Sequence, residues 1–360
     1  MKILITGAHF TPAVAVVEEL KKYPDVNLVY VGRTNTMEGD KVSSKESQIL
    51  PTMGVKFIPI ITGRVQRTLT PYSIPSLIKI PIGFIQSLYI ILSQKPDVIL
   101  SFGGYVAVPI VFVGWLFSIP IILHEQTLVS GLANTFCANF ADVIALSFRQ
   151  EGRFEGKNVI VTGNPIRQMI LSKKKVSKNK LPLVLITGGN QGSHIINETV
   201  KYSLEKLKKI AFIIHVTGDN KFEDFEGLEN LQDENYQVKK WIGNEYGEIL
   251  QKADLVVSRA GANTLTELAY VGKPGLVIPL PYLYQDEQMK NAEYFEEVGL
   301  VKILPQSKLS AIILVENIKW MLKNIDLLNK KAKDAKKVIK EDAAKTLALE
   351  TYLLAKISNT

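Results

Sequence analysis

ADLVVSRAGANTLTELAYVGKPGLVIPLPYLYQDEQMKNA, which runs from Ala253 to Ala292, decides the fold of this chain. An apolar run predicts a strand, the small residues Ser258 to Ala262 predict a turn, and a helical pattern follows. Gly272 to Gly275 then lead into a second apolar run, Leu276 to Leu280. This is a βαβ unit whose turn lies at the carboxyl end of a strand, where helix N–H groups and a partial positive charge favour phosphates.

Length and composition limit the number of domains and the kinds of partner that this chain can have. A chain of 360 residues predicts two domains, and 46% hydrophobic residues are enough to bury two cores. The net charge of +8 favours anionic partners such as nucleotides, pyrophosphates, nucleic acid or a membrane surface, although a lysine-rich solvated surface gives the same charge. The single cysteine, Cys137, excludes an internal disulfide and fits a cytoplasmic protein.

The amino-terminal segment begins directly with an apolar strand and shows no signal peptide. A turn, a helix and a second strand follow within the first 40 residues. His9 lies in the turn, where it is a candidate general base or simply a residue at the start of a helix. A nicotinamide site is the other interpretation, with Thr6-Gly7-Ala8 as the dinucleotide turn and Arg33 as ligand of a 2′-phosphate, but no GxGxxG pattern is present.

Two long apolar stretches raise the question of a membrane. Arg64 and Arg67 precede a stretch that reaches Gln94, and we expect Pro75 and Pro81 to prevent one long helix there. That stretch is either core or an apolar surface with a basic fringe that rests on a membrane. Residues 101–123 are uncharged and long enough to span a bilayer, but glycines and prolines favour a buried strand, turn, helix and strand.

A change in composition divides the chain. Strand ends at Gly103-Gly104-Tyr105 and His124-Glu125-Gln126 carry polar groups that should face a cleft, unless Glu125 and Gln126 cap helices. A lysine-rich stretch follows Arg167, and the pattern restarts with a strand and the turn Gly188 to Ser193, whose glycines suit a diphosphate. We predict domains at 1–164 and 165–341, with a helix at 342–360 that packs back on the first domain. The basic tail shows no nucleic-acid motif, so no nucleic-acid partner is expected.

Several motifs occur in a fixed order over residues 1–304, and together they resemble the MurG glycosyltransferases, which transfer GlcNAc from UDP-GlcNAc to the lipid-linked MurNAc-pentapeptide of peptidoglycan synthesis. The motifs are His9-x-x-Pro12, Phe102-Gly103-Gly104-Tyr105, His124-Glu125-Gln126, Gly131-Leu132-Ala133-Asn134, Gly163-Asn164-Pro165-Ile166-Arg167, Gly188-Gly189-x-Gln191-Gly192 and Ser258-Arg259-Ala260-Gly261-Ala262-x-Thr264-x-x-Glu267.

The resemblance implies an α/β protein of the GT-B fold, with two Rossmann-like doubly wound parallel-sheet domains that face a cleft. It implies inverting transfer without a metal or another cofactor. It also implies a peripheral protein on the cytoplasmic face of the cell membrane, held to the anionic surface through residues 64–92.

The resemblance also assigns site residues. His9 would be the catalytic base. The residues that would bind UDP-GlcNAc are Thr127, Arg167, Asn190, Gln191, Gly192, Ile242, Gly243, Ala262, Asn263, Thr264, Leu265, Thr266, Glu267 and Gln288. The residues that would bind the lipid-linked acceptor are Thr6, Gly7, Gly103, Gly104, Tyr105, His124, Glu125, Gln126 and Asn134.

Within the donor set, the resemblance gives individual roles. Glu267 would hold the ribose hydroxyls, Gln288 the donor sugar and Arg167 the phosphates, while Ile242 or Gly243 would frame the uracil. The first turn of the helix at Ala262 to Thr266 would direct N–H groups at the diphosphate. Thr264-x-x-Glu267 also fits a capping box, which would give Glu267 a structural role instead.

Three positions depart from the family pattern. The family's GGTGGH loop is reduced to Thr6-Gly7-Ala8-His9, Thr127 replaces an asparagine, and Asn190 replaces a serine. The alternatives are therefore another UDP-sugar glycosyltransferase, a UDP-GlcNAc 2-epimerase, a non-catalytic nucleotide-sugar-binding protein, or an NADP-dependent reductase.

Overall fold

The computed structural model describes residues 1–35, 43–63, 73–149, 152–172, 180–189, 191–282 and 284–357, with the side chains of 73–75 and 284 left aside. The chain forms two compact units. Unit 1 comprises Met1–Arg167 together with Lys340–Thr360, and unit 2 comprises Gln168–Ile339.

Unit 1 contains a parallel sheet of seven strands in the order β3-β2-β1-β4-β5-β6-β7. The strands are β1 (Lys2–Thr6), β2 (Asn27–Gly32), β3 (Lys56–Pro59), β4 (Val98–Ser101), β5 (Ile121–Glu125), β6 (Val143–Leu146) and β7 (Val159–Val161). Ile3 and Ile5 enter one hydrophobic cluster while Leu4 enters another, as expected for a strand that is buried on both faces.

The helices of unit 1 connect these strands. They are α1 (Phe10–Leu20), α2 (Lys45–Thr52), α3 (Ser73–Gln94), α4 (Ala107–Leu116) and α5 (Leu132–Cys137). Residues 101–123 form the end of β4, the ten-residue α4 and most of β5, which confirms the predicted strand, turn, helix and strand.

Helix α3 corrects one expectation. It is a single helix of 22 residues that contains Pro81, although we predicted that the two prolines would interrupt it. Pro75 falls in the first turn, where a missing N–H group costs nothing because it has no helical partner. Pro81 does remove one backbone hydrogen bond, and the packing of α3 against α4 holds the helix through that point.

Unit 2 contains a parallel sheet of six strands in the order β10-β9-β8-β11-β12-β13. The strands are β8 (Leu183–Thr187), β9 (Phe212–Val216), β10 (Tyr236–Lys239), β11 (Leu255–Ser258), β12 (Gly275–Val277) and β13 (Val301–Ile303). The helices are α6 (Gln168–Leu171), α7 (His194–Leu207), α8 (Glu226–Glu229), α9 (Tyr246–Lys252), α10 (Ala262–Val271), α11 (Glu287–Glu297), α12 (Ala311–Lys323) and α13 (Ile325–Asp334). Short 3-10 turns lie at Tyr284–Asp286, Gln306–Lys308 and Ala335–Val338.

The final helix, α14 (Ala343–Ile357), belongs to unit 1 and packs against α1. Its Ala344, Leu347 and Ala348 are part of the same hydrophobic cluster as Val16 of α1. The ring of Tyr352 stacks on Tyr23 with the ring centroids 4.3 Å apart. The last helix in the sequence therefore completes the core of the first unit.

Candidate active site

The candidate site of unit 1 lies where the strand order reverses. β1 and β4 are neighbours in the middle of the sheet, and the chain leaves them toward opposite edges. Ligands of doubly wound sheets bind at such a switch point, beyond the carboxyl ends of the strands. The turns at Gly7–His9 and Phe102–Tyr105 follow these two strands, and the Ala8 N–H donates to the Gly103 carbonyl oxygen at 3.0 Å. The structure thus brings together two predicted acceptor turns.

Glycine is required at the second of these turns. Gly103 and Gly104 have φ of 71° and 78°, and a Cβ on Gly103 would overlap the side-chain amide of Asn134. The Gly104 N–H donates to Asn134 Oδ1 at 3.2 Å, and Asn134 Nδ2 donates to Glu125 Oε2 at 2.8 Å. Asn134 and Glu125 therefore hold the backbone of the glycine turn.

His124, Glu125 and Gln126 are all buried, at 2% exposure or less. His124 Nε2 lies 3.1 Å from the Gly163 carbonyl oxygen, and Gln126 Nε2 lies 3.0 Å from His124 Nδ1. This arrangement suits a neutral imidazole, and burial lowers the pKa of His124 to about 4. Burial also raises the pKa of Glu125. The segment His124-Glu125-Gln126 therefore supports the Gly103–Gly104 turn from the interior of unit 1.

Two further predicted residues direct their side chains into the protein. Thr6 is buried and its hydroxyl donates to the Val31 carbonyl oxygen at 3.0 Å. The hydroxyl of Thr127 lies 2.6 Å from the Val129 carbonyl oxygen, and its N–H donates to Glu125 Oε1 at 3.1 Å. Thr127, predicted in the donor set, belongs to unit 1, as does the buried Arg167. Tyr105, from the acceptor set, is partly exposed.

His9 is partly exposed and immediately precedes α1. Burial of the ring, followed by the positive charge of Arg33, lowers the pKa of His9 to about 4. The imidazole is therefore neutral near pH 7 and has a nitrogen lone pair that can accept a proton. Behind the turn, the Tyr30 hydroxyl donates to the Gly7 carbonyl oxygen at 2.9 Å.

The candidate site of unit 2 also lies at a switch point. β8 and β11 are central neighbours, with Thr187 paired to Ser258 at their carboxyl ends. The glycine-rich turn after β8 therefore lies beside the turn after β11. Gly192 has φ of 73°, and a Cβ there would overlap the backbone at Thr217. Gln191 is exposed, and Asn190 lies outside the described residues.

Arg259 connects these turns, a role that the sequence motif did not reveal. Its Nη1 donates to the Ile278 carbonyl oxygen at 3.0 Å, and its Nη2 donates to Ser193 Oγ at 2.7 Å. Partial burial lowers the pKa of Arg259 to about 10, so the guanidinium keeps its charge near neutral pH. The sequence offers only the arginine beside the glycine as a signal, because the partner serine lies 66 residues away.

Helix α10 begins at Ala262 with Gly261 as its N-cap, and no side chain caps it. The capping-box interpretation is therefore wrong: Thr264 is the third residue of the helix instead of its cap. A helix N terminus without a side-chain cap presents N–H groups and positive potential to an anion. Leu265 is fully buried, and the Thr266 hydroxyl donates to the Ala262 carbonyl oxygen at 2.8 Å. Both side chains therefore make contacts inside the protein.

The remaining donor residues lie in unit 2 at differing depths. Glu267 is 4% exposed on α10, and Ile242 is buried while Gly243 is exposed. Gln288 is near the start of α11, and its Oε1 accepts from the Leu280 N–H at 2.9 Å. Its amide nitrogen is the group left to meet a ligand.

Helix α3 carries an apolar surface on unit 1. Its buried positions include Ile90 and Ile91, whereas several large side chains face outward, with Ile85 at 70% and Tyr89 at 74% exposure. We call these outward residues the α3 face: Leu77, Ile78, Ile82, Ile85, Leu88, Tyr89 and Leu92. Trp115, Leu116 and Phe117 at the end of α4 are also exposed. By length and hydropathy, residues Ser76–Gln94 could cross a membrane. The predicted basic residues Arg64 and Arg67 lie outside the described residues.

Among the residues that the structure describes, no group of three or more His, Cys, Asp or Glu side chains is arranged to hold a metal ion.

Family comparisons agree with this architecture. The model of the glycosyltransferase family 28 N-terminal domain matches residues 6–146, and that of the family 28 C-terminal domain matches residues 183–347. The fold and these matches define a glycosyltransferase of the GT-B class.

Individual relatives narrow the class. The chain is 32% identical to a protein of Bacillus cytotoxicus named UDP-N-acetylglucosamine--N-acetylmuramyl-(pentapeptide) pyrophosphoryl-undecaprenol N-acetylglucosamine transferase, over 96% of this chain and 97% of that protein. A Clostridium botulinum protein of the same name is 32% identical over 90% of this chain and 91% of its own. The chain belongs to the MurG family of glycosyltransferases.

Solved structures show the same fold. The crystal structure of Acinetobacter baumannii MurG matches with a TM-score of 0.72 and 25% identity, covering 98% of this chain and 99% of that one. The crystal structure of a putative UDP-N-acetylglucosamine 2-epimerase from Listeria monocytogenes matches with a TM-score of 0.71 and 16% identity, covering 100% of this chain and 97% of that one. At that identity the second match carries the fold alone.

Proposed function

We propose that this protein transfers GlcNAc from UDP-GlcNAc to lipid-linked MurNAc-pentapeptide in peptidoglycan synthesis. The observation that carries the proposal is the helix N terminus at Gly261, which has no side-chain cap and lies at the switch point of a family 28 C-terminal domain. The names of relatives that match nearly the whole chain support the substrates.

The donor chemistry follows from α10. When the bond from the sugar to UDP breaks, negative charge develops on the β-phosphate. The first turn of α10 supplies N–H groups and a positive helix end that stabilise this charge. Glu267, on the same helix, accepts hydrogen bonds from the ribose hydroxyls, and the amide nitrogen of Gln288 donates to the sugar.

The acceptor hydroxyl is activated at the switch point of unit 1. The neutral imidazole of His9 removes the proton from the acceptor hydroxyl as that oxygen attacks the anomeric carbon. The bond to UDP breaks on the opposite face, so the configuration inverts. A pKa of about 4 keeps His9 unprotonated at neutral pH, and the imidazolium formed during transfer loses its proton readily to solvent.

The α3 face fits a role at a membrane surface. A lipid-linked acceptor remains in the bilayer, so the enzyme must approach it there. Exposed aliphatic side chains, together with exposed aromatic residues such as Tyr89 and Trp115, are typical of a surface that enters the interfacial region. We infer a peripheral protein on the cytoplasmic face of the membrane, where its net charge of +8 assists contact with anionic lipids.

The test is incubation of the purified chain with labelled UDP-GlcNAc and lipid I, with lipid II as the expected product. His9→Ala should lose most of the transfer, and Glu267→Ala should raise the KM for UDP-GlcNAc. Formation of UDP-ManNAc without acceptor would identify an epimerase. UDP-GlcNAc binding without UDP release on any acceptor would identify a binding protein.

A further inference from the structure

At the switch point of unit 1, several backbone N–H groups already donate hydrogen bonds within the protein. The N–H of Ala8 donates to Gly103, that of Gly103 to Ser101 Oγ, and that of Gly104 to Asn134. Those three N–H groups are engaged before any substrate binds. A diphosphate at this edge cannot use these three donors, and a charged side chain beside it would supply stronger ones.

Arg33 lies at the same edge of the sheet. It follows β2 directly, and β2 pairs with β1 in a register that sets Val31 opposite Thr6. The two strand ends are also joined by the hydrogen bond from Thr6 to Val31. The positive charge of Arg33 acts on His9, whose pKa it lowers together with burial. The guanidinium is thus near the proposed base.

The described residues around Arg33 do not fully satisfy its guanidinium. Its Nε is buried and has no hydrogen-bond partner within normal geometry. Among the described residues, Glu46 forms an ion pair with Arg33, with Oε1 3.7 Å from Nε, which is too long for a hydrogen bond. The side chain is 23% exposed, so part of it is accessible to solvent.

The neighbourhood fixes the arginine backbone. Ser44, the N-cap of α2, donates its hydroxyl to the Arg33 carbonyl oxygen at 2.7 Å, and its N–H donates to Thr34. Glu46 lies two residues further and is 5% exposed. The start of α2 thereby anchors Arg33 and places one carboxylate beside its Nε.

From these contacts we propose that Arg33 binds the diphosphate of the lipid-linked acceptor. The inference rests on the proposed function, since the acceptor is the diphosphate in question. An arginine fork presents two parallel N–H donors to phosphate oxygens and keeps its charge. Arg33 thereby adds a charged donor at an edge where three backbone N–H groups are already engaged.

The kinetic test compares Arg33→Gln, Glu46→Gln and the double variant. Loss of a charged hydrogen bond to phosphate should raise the KM for lipid I by roughly tenfold or more, with the KM for UDP-GlcNAc unchanged. If Arg33 only neutralised Glu46, the double variant would regain the wild-type KM because no buried charge is left unpaired. We expect the double variant to stay as impaired as Arg33→Gln and Glu46→Gln to retain acceptor affinity. Recovery in the double variant overturns the proposal.

A binding measurement separates this inference from the proposed function. With UDP saturating the donor site of unit 2, inorganic pyrophosphate titrated into the full chain and followed by calorimetry should bind to the wild type and to Glu46→Gln but not to Arg33→Gln. Binding that depends on Arg33 in a protein without transferase activity would support the site and overturn the function. Normal lipid I kinetics in Arg33→Gln, with transfer intact, would overturn the site and leave the function standing.

Discussion

Arg259 donates from Nη2 to Ser193 Oγ at 2.7 Å, and this bond joins the turn after β11 to the residue that precedes α7. The same guanidinium holds the Ile278 carbonyl oxygen just after β12. One side chain thus fixes three loops that follow neighbouring elements of the unit 2 sheet, including both turns assigned to the donor diphosphate.

Ser193→Ala should loosen that connection. The variant loses one charge-assisted hydrogen bond in a partly solvated setting, so we expect a loss of about 1 kcal/mol in unfolding free energy. The KM for UDP-GlcNAc should rise several-fold because the two turns lose their mutual alignment. Ser203→Ala is the matched control: Ser203 lies within α7, is buried, and bonds only within that helix. An equal rise in KM for the control would remove the special role of Ser193.

Gly261→Asp should stabilise the protein and weaken donor binding together. Gly261 has φ of −71° and ψ of 138°, and a Cβ there meets open space. The carboxylate would cap α10, adding about 0.5 kcal/mol of stability, while it occupies the N–H groups and repels the diphosphate. Thermal unfolding and UDP binding measure the two effects. Gly261→Ala supplies neither charge nor cap, and undiminished UDP binding by the aspartate variant would contradict the assignment of this helix end.

The pH profile tests His9. If its deprotonated form is the base, kcat/KM should fall in acid through a pKa of about 4, well below neutral. Arg33 disfavours the imidazolium, so Arg33→Gln should raise the pKa of His9 and shift this acid limb to higher pH. The shift is separate from the change in KM for lipid I, because it appears in the shape of the profile. An acid limb that does not move in Arg33→Gln argues against His9 as the titrating group.

Tyr89→Asp should weaken membrane contact. Tyr89 is 74% exposed on the α3 face, and loss of its apolar burial should lower affinity for anionic vesicles about tenfold. Tyr202→Asp, at a 76% exposed tyrosine on α7 in unit 2, makes the same chemical change elsewhere. Vesicle sedimentation compares the two. Equal losses would mean that net charge, instead of the α3 face, governs attachment.

Much of this fold could be predicted from the sequence because its strands are buried on both faces. Continuous apolar runs such as Ile3–Ile5 and Leu183–Ile186 are typical of the central strands of parallel sheets. The strands at β3 and β13 were not predicted: they are four and three residues long and partly exposed, so their pattern is weak. The prediction that Pro81 interrupts the helix failed because helix propensity is a local property, whereas α3 is stabilised by its packing on α4.

The site was harder to predict than the fold. Glycine turns reveal where a backbone must bend, and both turns that the motifs indicated lie at switch points. Sequence does not reveal which polar side chains point inward, since burial of His124 and Glu125 depends on partners such as Gly163 and Asn134. For the same reason, the contact between Ser193 and Arg259 could not be predicted from the sequence.

The return of α14 to unit 1 has a consequence for biosynthesis. Leu347 and Ala348 fill a cluster whose other members are made at the start of translation, with all of unit 2 synthesised in between. Unit 2 is contiguous and can fold as it leaves the ribosome, whereas unit 1 must keep part of its apolar surface uncovered until its last helix emerges. We therefore expect nascent unit 1 to expose apolar surface for longer than unit 2 does.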